Sequence, residues 1–207
     1  MLTDRDFKSN KKNVMQKFDK ALLEKQVDYE IIPILKLINS YDDFYTSSSC
    51  YGRIVLLEIP NIGDKKNAKW LGKWHSKITL DDILISFNFA SKGQLWVLAQ
   101  SPIIHVYSKN QDAADKLIKA AISCGFKHSG FKSIEKNIVL EIASTERLDA
   151  PIGNDGHLYC SDDYINLIVK ISNDIIHRSV EKLNRFHKFF CNSPKEYLLE
   201  SLFASSP

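Results

Sequence analysis

No two of the four cysteines stand near enough to make a Cys-x-x-Cys pair; they lie at positions 50, 124, 160 and 191. That spacing argues against a zinc site, and a chain of 207 residues has no need of a disulfide framework. Reduced thiols, no bound metal and a cytoplasmic protein are the expectation. Apolar runs are short, and none reaches the roughly 18 residues that cross a bilayer, so no membrane partner is expected. The opening "MLTDRDFKSNKK" lacks the apolar stretch of a secretion signal. The eight glycines form neither a Gly-x-Gly-x-x-Gly run behind a strand nor a P-loop, which removes the usual grounds for a dinucleotide or nucleoside-triphosphate fold. Excess charge is slight at +3, compatible with nucleic acid but too weak to argue for it alone. There is no internal repeat.

What is present is a core-forming composition, 44% apolar. It predicts a single α+β domain over 1–207, with 192–207 as a loosely ordered tail. Residues 3–26 read as a helix with Thr3 or Asp4 as cap, and 31–39 as a second with Pro33 in its first turn. Strands are predicted at 44–47, 53–59, 70–76, 95–99, 103–107, 128–134 and 137–144. Helices are predicted from Thr79 to near Ala90, over 110–125 with Gly125 as a left-handed terminus, and from Ser161 to about Phe190. Residues 148–160 read as a loop with short extended pieces. Strands and helices in this order predict a mixed β-sheet flanked by helices, with long helices at both ends.

Several stretches could carry chemistry, each with a plain structural counterpart. In "TSSSCYGRI" (46–54), Gly52 frees the backbone, the serine groups offer anion donors, and Arg53 could grip a phosphate with both arms. The same composition also makes a polar turn with self-bonded serines. Cys50 is either a nucleophile or a packed thiol. His75 and His105, in or beside strands, are candidate general bases or hydrogen-bonded structural residues. "CGFKHSGF" (124–131) is either an anion-binding turn or a helix cap leading into a strand. Lys65, Lys66, Lys69 and Lys73 form one basic group, and His177, Arg178, Lys182, Arg185 and Lys188 another. With Trp70, Trp74 and Trp96 they could hold RNA, or simply form solvated faces and core.

Six stretches together resemble the tRNA wybutosine-synthesising protein 3 family: "TSSSCYGRI", "WLGKWHS" (70–76), "SPIIHV" (101–106), "CGFKHSG" (124–130), "RLDAPI" (147–152) and "SDDYINLIVKISN" (161–173). They follow the family's order from the first helix to about Phe186. The resemblance implies an S-adenosylmethionine-dependent methyltransferase. Its partner would be tRNA-Phe and its target the N-4 ring nitrogen of the tricyclic wyosine-type base beside the anticodon, with no DNA involved. It also implies a fold that is not Rossmann-type, in keeping with the missing glycine fingerprint. Carried over by position, the matches are Ser48, Ser49, Cys50, Gly52, Arg53, Gly125, Phe126, Ser129 and Gly130, and all of these but Cys50 and Phe126 are the expected cofactor residues. His75 and His105 match two family histidines and are the expected catalytic residues, while Arg147, Pro151 and Asn173 match later motifs. Lys65, Lys66, Lys69, Lys73 and Arg147 are the expected RNA contacts. Tyr51, Gln100, Ser101, Ile175 and Ser179 depart from the family pattern.

Methyl transfer from a sulfonium is an in-line displacement that needs positioning and a free lone pair on the acceptor nitrogen. His75 or His105 is expected as the base that frees it, with Arg53 on an anionic group. Two rivals follow from the same residues. One is a non-catalytic tRNA-binding accessory protein of the same pathway; the other is an enzyme that uses Cys50 as nucleophile.

Overall fold

The computed structural model describes residues 3–64 and 66–192. Lys65 and positions 193–207 of the expected tail lie outside the described residues. In chain order the elements are α1 (Asp4–Leu23), α2 (Ile32–Asn39), β1 (Phe44–Cys50), β2 (Arg53–Ile59), β3 (Lys69–Trp74), α3 (Leu80–Phe87), β4 (Gln94–Gln100) and β5 (Ile103–Ser108). They continue with α4 (Gln111–Ser123), β6 (Gly130–Ser133), β7 (Ile138–Ala143), β8 (Arg147–Asn154), β9 (His157–Leu158) and α5 (Asp162–Asn192). The chain divides into two units. The first is Met1–Tyr51, Pro102–Thr145 and Glu181–Pro207; the second is Gly52–Ser101 and Glu146–Val180.

In the first unit Thr3 caps α1 reciprocally with Asp6, each side chain bonding the other's backbone N–H. The sheet has the order β1-β5-β7-β6 and is antiparallel throughout. Along β5, Ile104, Val106 and Ser108 are buried, while Ile103, His105 and Tyr107 occupy the opposite face. Tyr107 stacks on Tyr45 at 4.8 Å, and Phe7 of α1 lies 5.1 Å from Tyr45, so α1 covers that end of the second face. The buried face packs with α4 residues such as Leu117 and with an aromatic chain, Phe126–Phe186–Phe190–Tyr41.

The second unit is built on a sheet of order β3-β2-β4-β8-β9, also antiparallel throughout. Ile54, Leu56, Leu95, Val97 and Ala99 alternate into one face and meet Ile83 of α3. Ile165, Ile168, Val169, Ile175 and Ile176 of α5 close that core at helical spacing.

The class is α+β, as expected, and nothing in either strand order is Rossmann-type. The single mixed sheet is corrected to two antiparallel ones. The strand–helix–strand order suggested parallel crossovers, but the strands flanking each helix are not parallel neighbours. The chain instead changes unit at Tyr51–Gly52 and at Ser101–Pro102. Gly52 takes a φ of 103° there, and Pro102 has no N–H with which to continue a ladder. Two boundaries also change. β1 runs through Cys50, so the serine motif is strand rather than loop. The segment after Arg147 is a full strand paired to β4, whose proline sits where the ladder shifts register.

Candidate active site

On the uncovered part of the first unit's sheet, a polar row crosses three strands. Thr46 pairs with Val106 and Ser49 with Ile104, so Ser47 and Ser48 together face His105 alone. This is a β-bulge, the device that re-aims a side chain within a sheet. Ser48 is exposed, and its Oγ lies 2.7 Å from His105 Nδ1. The other ring nitrogen, Nε2, lies 2.9 Å from Glu141 Oε2 on the directly paired position of β7. Lys132 Nζ reaches the same oxygen at 3.1 Å. The His105 ring holds the Glu141 carboxyl below its ordinary range; burial opposes this and Lys132 reinforces it. An ionised carboxylate only accepts, so Nε2 carries the hydrogen. In the neutral ring Nδ1 then accepts from the Ser48 hydroxyl.

Glu141 borders an open cleft of about 430 Å³, lined also by Lys127, His128, Ser129, Gly130, Phe131 and Lys132. Gly130 opens onto clear space. Ser129 serves the turn itself: its hydroxyl donates to the Phe126 carbonyl at 2.7 Å and accepts from the Ala143 N–H at 3.2 Å. Gly125 ends α4 with a φ of 104°, and the Phe126 N–H returns to the Ala121 carbonyl. Arg185 Nε donates to the Cys124 carbonyl and Lys182 is buried against Ser144, so two members of the second basic group are structural. Cys50 is half-buried on β1.

In the second unit, the Gly52 carbonyl accepts from His75 Nδ1 at 2.8 Å. Arg53 Nε donates to Gln100 Oε1 at 3.1 Å, across a paired position of β2 and β4. Its guanidinium lies over the half-exposed Trp70 ring, 4.9 Å from the centroid, with Lys73 at 6.0 Å from the same ring. No hydrogen bond holds the outer guanidinium nitrogens among the described residues. Lys66 and Lys73 are exposed. Lys69 is tied to the buried Glu58 at 2.9 Å and to Ser91, and Arg147 is paired with Asp149. Trp74 packs on the core and folds over Gly72, where any Cβ would collide with its ring. Asn173 clamps the chain at Ile78, accepting from its N–H at 2.9 Å and donating to its carbonyl at 2.8 Å. Ile175 and Ser179 are buried, so these departures from the family pattern sit in packing rather than at a surface.

Sequence reasoning overlooks Glu141 and gives Gln100 no function. The signal for the first is a lone carboxylate inside the apolar strand "IVLEIA", which demands a partner. Nothing local marks Gln100.

A family model described as Methyltransferase TYW3 matches residues 9–192. The chain is 46% identical over 181 residues to tRNA(Phe) 7-((3-amino-3-carboxypropyl)-4-demethylwyosine(37)-N(4))-methyltransferase 1 of Pyrococcus horikoshii, covering 87% of this chain and 92% of that one. It is 37% identical over 182 residues to the corresponding methyltransferase of Methanocaldococcus jannaschii, covering 87% and 94%. A solved structure from Pyrococcus horikoshii matches with a TM-score of 0.87 at 45% identity, over 90% of this chain and 97% of that one. A hypothetical protein from Aeropyrum pernix matches at 0.70 and 27%, over 82% and 98%.

Proposed function

The chain belongs to the TYW3 methyltransferase family, and from that premise we propose that it methylates N-4 of the tricyclic wyosine-type base in tRNA-Phe, with S-adenosylmethionine as donor. The observation that carries this reading is the 46% identity to a relative of that named activity across 87% of the chain. A cytoplasmic setting is part of the same proposal. Among the described residues no helix is long and apolar enough to cross a membrane.

The residues present fit the carboxylate end of a sulfonium-bearing donor. Arg53 offers a planar cation whose outer nitrogens are open and whose face is already stacked, the preset form for a carboxylate or phosphate. Gln100 and Trp70 hold it in place. S-adenosylmethionine, when bound, supplies a methyl group activated by sulfonium. Gly52 sets the chain path that delivers Arg53, and His75 is oriented by its bond to the Gly52 carbonyl. His105, with a carboxylate behind its ring, is the stronger general base of the two histidines. Lys66 and Lys73 are the proposed phosphate contacts.

Calorimetry with S-adenosylmethionine, followed by methyl transfer to tRNA-Phe carrying the unmethylated tricyclic base, tests the reading. Saturable binding and transfer of one methyl group per tRNA are expected. A protein that binds this tRNA yet neither binds the donor nor transfers a methyl group would instead be an accessory factor.

A further inference from the structure

We infer that Ser48, His105 and Glu141 form a proton relay, in which Ser48 rather than a histidine touches the substrate. The inference rests on the methyltransferase reading above and assigns Ser48 to proton transfer instead of cofactor binding.

Three features carry it. The bulge in β1 places two residues against His105 and turns the exposed Ser48 hydroxyl onto Nδ1 at 2.7 Å. Glu141, at the paired position of the next strand, holds Nε2 at 2.9 Å and thereby dictates which nitrogen is basic. Both ring nitrogens are thus engaged, so a substrate proton reaches His105 only through the Ser48 oxygen. The row is ordered as a nucleophile-type hydroxyl, a base and an orienting carboxylate are ordered in hydrolases, although here the hydroxyl passes a proton on and forms no covalent bond. The charged groups in contact with this row are Glu141 from β7, on the ring itself, and Lys132 from β6, on Glu141; farther along the sheet Tyr107 of β5 is stacked on Tyr45 of β1, and Cys50 pairs with Ile103. Lys127 and His128 face Glu141 from the cleft.

The step balances as follows. The N–H bond of the acceptor ring breaks and its electron pair stays on nitrogen. Its proton goes to Ser48 Oγ as the Ser48 proton goes to His105 Nδ1. The new nitrogen–carbon bond forms while the sulfur–carbon bond of the sulfonium breaks, sulfur keeping the pair as a neutral thioether. The imidazolium faces the Glu141 carboxylate until its proton is lost to solvent.

Single-turnover methyl transfer is measured against pH in wild type, Ser48→Ala, Glu141→Gln and Lys132→Met. Ser48→Ala is expected to lose about 100-fold in rate at unchanged donor affinity, within the range of general-base effects. Glu141→Gln removes the carboxylate that faces the imidazolium formed in the step, so the acid limb moves to lower pH and the plateau falls roughly 10- to 100-fold. Lys132→Met moves the limb the other way, because Glu141 then faces the ring without a competing cation. Thermal unfolding of each variant shows whether it is folded, and the opposed limb shifts are beyond a merely structural role. Rates within about twofold of wild type and a fixed limb in all three overturn the relay. So does a Ser48→Ala protein that loses donor binding, which would return Ser48 to the cofactor. No transfer by wild type overturns the methyltransferase reading itself.

Discussion

Glu58 is the clearest case of a residue whose surroundings decide its state. Its side chain is 1% exposed, yet it takes the Ser91 and Lys92 backbone N–H groups, the Ser91 hydroxyl and the Lys69 ammonium. Burial alone would raise its pKa, but the Ser91 N–H, Lys69 and the Ser91 hydroxyl together bring it below the ordinary glutamate range. A depressed carboxyl contributes stability that is present above the unfolded pKa and lost as pH falls through the folded one. Glu58→Gln is therefore expected to be less stable than wild type by about 2 kcal/mol at neutral pH, the scale of charge-assisted hydrogen bonds. Urea midpoints should show that gap closing as pH drops below about 4.3, the unfolded glutamate value. Asn173 works by shape rather than charge. Asn173→Ala leaves the Ile78 N–H and carbonyl without their partner and should lower stability by about 1–3 kcal/mol, read as a lower thermal midpoint. Glu58 has the same signal in the sequence as Glu141, a lone carboxylate inside an apolar run, whereas Asn173 is one polar residue on a helix and nothing local marks its clamp.

Elements are legible where they carry their own punctuation. Thr3 with Asp6 and Thr79 with Asp82 make capping boxes, and α1 and α3 begin where those residues stand. β2 matches its apolar run residue for residue. β8 reads as loop in the sequence because Pro151, Gly153 and nearby polar residues look like turn signals. Its eight residues are strand because β4 supplies a ladder along their length and absorbs the proline at a register shift. The end of α4 shows a glycine whose need is conformational. At Gly125 a Cβ would come within 3.2 Å of the flexible Lys182 side chain, so space is tight but yielding, while φ of 104° is what an L residue resists. Gly125→Ala should lower stability by about 1–3 kcal/mol. Arg185→Ala, which removes a bond to the last carbonyl of the helix end, should do so by about 1 kcal/mol. Chemical denaturation of both variants checks the ranking.

For the molecule as a whole, a net charge of +3 gives no strong field, so RNA affinity must come from particular cations. Lys66 and Lys73 are exposed, whereas Lys69 neutralises a buried carboxylate. Replacing Lys66 and Lys73 by alanine should weaken tRNA binding and reduce the slope of log affinity against log salt by about 1–2, at roughly 0.7–0.9 for each phosphate no longer neutralised. Lys69→Ala should chiefly lower stability, since it leaves Glu58 buried without its counter-charge. Filter binding across a salt series, beside thermal melts, separates the two effects. If Lys69→Ala changed the slope as much as the double variant, Lys69 would be a phosphate ligand after all.

The order of motifs in the chain, together with helical and strand periodicity, determined the α+β class, most element positions and the family. These signals are local or linear, and they survive in one dimension. Tertiary structure alone decided that the strands form two antiparallel sheets, because pairing between distant segments leaves no trace in local periodicity. It also decided which polar residues have a partner. Lys69, Ser129, Lys182 and Arg185 look like free donors in the sequence and are engaged by groups elsewhere in the chain. Ser48 and His105 lie 57 residues apart, and His105 and Glu141 lie 36 apart; they meet only because a bulge and two ladders align them. Hydrogen bonds between side chains need distances near roughly 3 Å, and only the folded backbone sets those.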